Sequence, residues 1–161
     1  MSSSINQSDD EAELAAIARQ LGNAIYTAIP DWVIGCVESR YLAWSKQDVL
    51  PAELAQAARA AATEAQEQAG NQVKAVLALD IDQQQVPPLS LLRSAVKYPT
   101  AILSQAGVPP VMRDEFAERN FPEDLYDLNP AAFGDVSPEL HELGMAWGAA
   151  KAFVHLKRRR S

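Results

Sequence analysis

The side chains with the widest chemical repertoire in this 161-residue sequence are two histidines, His141 and His155, and a single cysteine, Cys36. A pair of histidines can hold a metal ion or exchange protons near neutrality. These two stand fourteen positions apart, which on one helix is about 21 Å along the axis and too far to share an ion. A di-metal centre of the helical-bundle type needs Glu-x-x-His on two helices, whereas Pro138 and Ala152 occupy the positions three residues before the histidines. No metal and no cofactor is therefore expected. Cys36 lies one helical turn from Trp32 and Arg40 with no nucleophile signature around it, and it reads as a small buried hydrophobe. There is no Gly-x-Ser-x-Gly elbow, no glycine-rich phosphate loop and no dinucleotide fingerprint. No catalytic set emerges, and the reading leans away from an enzyme.

Carboxylates are plentiful, at Asp80 and Asp82 and again at Asp114, Glu115, Glu118, Glu123, Asp124 and Asp127. None falls into the twelve-residue calcium-loop spacing, so solvated helix faces and loop charges account for them. The net charge of −7 conceals an asymmetry: Lys151, Lys157, Arg158, Arg159 and Arg160 near the end put +5 on the last eleven residues, which leaves −12 on residues 1–150. An acidic body argues against a broad phosphate-binding face, and nucleic acid is not an expected partner. Any anion contact is confined to Lys157, Arg158, Arg159 and Arg160, where cations also suit the negative end of a helix dipole.

These groups must be positioned by helices. Ser8 and Glu11 have the spacing of a capping box, and Leu14, Ile17, Leu21, Ile25 and Ile29 recur at steps of three and four as one amphipathic stripe. Pro30 fits the first turn of a second helix, with Val33, Val37, Tyr41 and Trp44 as its apolar stripe. Pro51 opens a third, in which nine of the eighteen residues from Ala52 to Ala69 are alanine, the best helix former. Gly70-Asn71 ends or interrupts it. Val73 to Asp82 fits period two as well as helical spacing, but nothing else in the sequence would pair with a strand there, so helix is expected.

Eight of the ten prolines follow residue 86. Pro88 should start a helix through Leu92 and Val96 to a stop at Gly107, kinked at Pro99. A short helix from Pro109 or Pro110 would carry Met112, Phe116 and Arg119. Asn120 to Val136 has no period and reads as a long ordered loop, and Ser137-Pro138 opens the last helix as cap and first position.

The expected fold is all-α, a compact bundle of about five helices with a long Pro- and aromatic-rich loop before the last. Residues 1–8 are expected to form a disordered polar lead, 9–156 the helical domain and 157–161 a basic tail. The start has no basic or apolar leader and no apolar run is long enough to span a bilayer, so the cytoplasm is the expected location and no membrane contact is expected. The leading function is a non-enzymatic protein-protein interaction or regulatory domain. Its contact residues would be Phe121, Tyr126 and Phe133 as anchors, with Glu123, Asp124 and Asp127 as polar rim. Gly144, Trp147 and Gly148 on the last helix offer a small-residue ridge for helix packing within the chain or against a second copy. Two alternatives are a pocket for a small apolar ligand between the alanine-rich helices and an anion or nucleic-acid contact through the tail.

Overall fold

A computed structural model describes the backbone at residues 3–78, 89–111, 124–128 and 133–160, and side chains over 12–73, 91–111, 124–128 and 133–157. Asp80, Asp82, Pro88, Met112, Asp114, Glu115, Phe116, Glu118, Arg119, Phe121 and Glu123, and the side chains of Arg158, Arg159 and Arg160, lie outside the described residues. The fold is all-α, with no strand among the described residues. Its helices are α1 (Ser3–Ser45), α2 (Ala52–Ala78), α3 (Leu89–Ser94), α4 (Lys97–Gln105) and α5 (Pro138–Arg160), with a 3₁₀ turn at Phe133–Asp135. Among the described residues no helix is long and apolar enough to cross a membrane.

The largest departure from the sequence reading is at Pro30, which does not start a second helix but sits inside α1. A proline there removes the N–H that would donate to the carbonyl of residue 26. The side-chain amide of Gln66, from α2, donates to Tyr26 O at 3.1 Å and takes the place of that bond. Most of the two expected stripes thereby merges into one, with Leu14, Ala18, Leu21, Ile25, Ile29, Val33 and Val37 buried at steps of three and four, while Ile17 and Tyr41 are half-buried and Trp44 is exposed. The helix also begins at Ser3, so Ser8 and Glu11 lie within it and not at its start.

Lys46 ends α1 in the left-handed conformation, φ 62°, with its N–H returned to Leu42 O at 3.0 Å. This is the single-bond helix stop usually made by glycine. The chain then reverses into α2, whose buried Ala58, Ala62, Ala65, Ala69 and Val73 face α1. Tyr41 and Leu54 pack on the same core block near the turn and Gly22 comes opposite Val73 at the far end, so the two helices run antiparallel. Small side chains allow that close approach. Gly70-Asn71 neither ends nor interrupts α2, and Val73 to Ala78 is helical, while residues 79–82 lie outside the described set.

The helix expected to kink at Pro99 is instead broken just ahead of it. Pro99 cannot donate to Ala95 O; Tyr98 N–H does so at 3.1 Å, and Ala95 and Val96 donate three residues back to Leu92 and Arg93. The tighter 3₁₀ pattern separates α3 from α4. Gly107 stops α4 as expected: its φ is 85°, it donates to Ser104 O, and Val108 donates to Leu103 O, the two bonds of a Schellman motif.

The core falls into two blocks along α1. One joins Leu14 to Val33 with the alanine face of α2, with Leu91, Leu92 and Ala95, and with Leu140, Trp147 and Val154 of α5. The other joins Val37 to Ala58, Val96, Leu103, Val108, Tyr126 and Leu128.

The Gln66 amide is expected to matter only while residue 30 is proline. Urea unfolding of Gln66→Met should show a loss of about 0.5–1.5 kcal/mol, the worth of one hydrogen bond. In a Pro30→Ala background, where residue 30 regains its N–H, the same change should cost close to nothing. Equal losses in the two backgrounds would refute this account of how α1 continues.

Candidate functional site

Among the described residues, a cleft of about 840 Å³ lies between the middle of α1 and the segments leading into α5. Its α1 wall is built from two adjacent rows at steps of four: Ala24, Ala28, Trp32, Cys36 and Arg40, and beside them Asn23, Thr27, Asp31, Gly35 and Ser39. That face is continuous only because α1 passes through Pro30. The opposite wall comprises Asp127, Leu128, Asp135, Val136, Ser137, Glu139 and Leu140.

Local hydrogen bonding fixes that second wall. Tyr126, 1% exposed, donates its hydroxyl to Val108 O at 2.6 Å, while Val111 N–H donates to Leu125 O at 2.9 Å. Together they tie residues 125–126 to the strip that follows α4. Asp124, also 1% exposed, accepts the Leu128 N–H on Oδ1 at 2.8 Å, closing a turn in which Asp127 is left-handed at φ 57°. Aspartate tolerates this conformation better than most residues. Leu128 points into the core and Asp127 outward.

At the entrance to α5, Ser137 Oγ accepts the Leu140 N–H at 3.2 Å, the cap expected there, with Pro138 in the first helical position. Ahead of it Phe133 lies across Gly144, so closely that a Cβ at 144 would run into its ring. The glycine is needed for that approach. Trp147 is buried in the first core block, and Gly148 is exposed with open space around it. Of the ridge anticipated on α5, Gly144 and Trp147 thus pack within the chain, while Gly148 faces outward.

The loop residues singled out as partner contacts divide in the same way. Asp124 and Tyr126 are enclosed and offer no surface to another molecule; Phe133 is half-buried against α5; Asp127 is exposed on the cleft wall. Lys157 holds its ammonium 5.8 Å from the centre of the Phe153 ring. The cleft residues of α1 were missed in the sequence because small and polar side chains at steps of four resemble a plain solvent face.

Cys36 is the thiol of the cleft wall, half-buried where the sequence suggests a fully buried side chain. Burial pushes the thiol up from 9.0 to about 12, with Arg40 opposing and Asp124 reinforcing that shift. His141 and His155 are exposed on α5. Among the described residues no three of His, Cys, Asp and Glu come together as a metal-binding group. Compared with protein-family models, curated proteins and solved structures, the chain finds no significant match in any of the three.

Two measurements check this geometry. Tyr126→Phe leaves the Val108 carbonyl without its donor and should cost about 1–3 kcal/mol in denaturant unfolding; no measurable change would mean the hydroxyl does not anchor the wall. Since only a thiolate reacts, Cys36 in the folded protein at about pH 8 should label with maleimide roughly a hundredfold or more slower than in the unfolded chain. The raised value also fixes a sign: the folded state holds the proton more tightly, so this contribution to stability is intact below pH 9.0 and is lost as pH rises toward about 12.

Proposed function

We propose that this chain is a non-enzymatic interaction domain that receives a protein partner in the cleft between α1 and residues 127–140. The observation that supports it is the anatomy of the cleft. Ala24, Ala28, Trp32 and Val136 bring apolar side chains to its lining, and Asn23, Thr27, Asp31, Arg40, Asp127 and Glu139 bring polar ones. Protein interfaces combine apolar and polar groups in this way. The loop before α5 contributes its Asp127 end as one side of the receptor, while Tyr126 and Asp124 hold that side in place.

A second reading has its own support. The volume of 840 Å³ lies within the range of small-molecule sites. Native mass spectrometry of the purified protein separates the two, since a retained small molecule appears as a mass adduct and a protein partner as a second chain.

Gly35 gives a clean test. It is exposed within α1 on the cleft wall, with nothing within 4 Å of where a Cβ would sit. Gly35→Ala should stabilise the helix by about 0.5–1 kcal/mol, because glycine is a poor helix residue. Gly35→Phe should fold equally well yet project a ring into the cleft, so that a partner cross-linked to the wild-type chain is no longer captured. A partner still captured by folded Gly35→Phe would overturn the cleft as its receptor.

A further inference from the structure

A second exposed surface is the outer face of α5, where Lys157 lies over the Phe153 ring. Met145, Phe153 and Leu156 are 66%, 56% and 53% exposed, on the side turned away from the buried Leu140, Trp147 and Val154. Ala149 and Ala152 are exposed between them. Residues 145, 149, 152, 153 and 156 follow the steps of three and four that keep a helical stripe on one side. Large apolar side chains gathered in this way mark an interaction surface more often than a solvent face.

Charge order indicates what covers it. The first half of α5 carries Glu139 and Glu142 and no Lys or Arg; the second half carries Lys151, Lys157, Arg158, Arg159 and Arg160 and no acid. The helix is thus a rod with one acidic and one basic end, and its midpoint is Ala149. Met145 and Phe153 lie four residues either side of that midpoint. Glu142 and Leu156 lie seven either side, and Glu139 and Arg159 ten. Turned through a twofold axis at Ala149, a second copy places Met145 on Phe153, alanine on alanine, and each acidic end beside the other's basic end. A parallel pair would stack the five cations of one copy on the five of the other, which is repulsive.

We propose that the outer face of α5 is the contact of a twofold homodimer in which two α5 helices pack antiparallel about Ala149. The axis falls where the smallest side chains stand, so the backbones approach closely there and the larger residues interlock on either side. This surface is separate from the cleft, and the dimer stands or falls independently of the cleft's role.

Sedimentation equilibrium of the full chain should show a dimer. Ala149→Glu sets two like charges on the axis and should give a monomer with unchanged helical circular dichroism. In a Cys36→Ala background, Ala149→Cys should close an intersubunit disulfide under mild oxidation. Phe153→Cys should not, because antiparallel packing holds the two positions about 12 Å apart along the axis, beyond the ~7 Å limit between bridged Cα atoms. A wild-type monomer throughout the accessible concentration range overturns the proposal, as does a dimer that survives Ala149→Glu. Ready cross-linking at 153 overturns the antiparallel arrangement. A monomer that floats with phosphatidylserine vesicles would assign the face to a lipid surface instead.

Discussion

The long helix around which this fold is assembled passes one carbonyl oxygen that has lost its backbone donor. Pro30 deprives Tyr26 O of its backbone donor, and a helix that cannot satisfy such a group ordinarily ends or bends there. The Gln66 amide supplies the donor from the neighbouring helix. With that donor in place, α1 runs through Pro30 for 43 residues, a span of about 64 Å. It contacts α2, α3, α4 and α5, and the rest of the molecule is arranged around it.

The alanine face of α2 follows from the same requirement. For a glutamine side chain to reach the far helix's backbone, the two axes must lie close, and Ala58, Ala62, Ala65 and Ala69 permit that where leucine would hold them apart. Residues 125–126, anchored through Tyr126 and Leu125, and the capped start of α5 then stand across from α1 instead of collapsing on it. The cleft is the space left between a continuous helix and a wall tied down elsewhere.

Local sequence rules revealed those parts of the fold whose causes are local. The buried stripe from Leu14, the alanine helix after Pro51, the Gly107 stop and the Ser137-Pro138 start are each specified within a turn or two of chain. Pro30 was misread because its outcome depends on a residue 36 positions away. Pro99 was read as a kink, but its effect was displaced toward Val96, where donors three residues on could replace the missing bond. Tyr126 looked like an interface anchor because nothing near it in sequence announces that Val108 O awaits its hydroxyl. The cleft was the hardest to foresee: its α1 rows are small and polar, and only the facing wall distinguishes them from ordinary surface.

Trp32 has a consequence for cooperativity. It packs against both core blocks and also lines the cleft. Neither block can loosen without withdrawing support from a side chain the other also uses, which favours opening of the two ends as one unit and not piecemeal. A ligand seated against Trp32 in the cleft would thus stabilise both core blocks, and its binding energy would be felt at both ends of α1 at once.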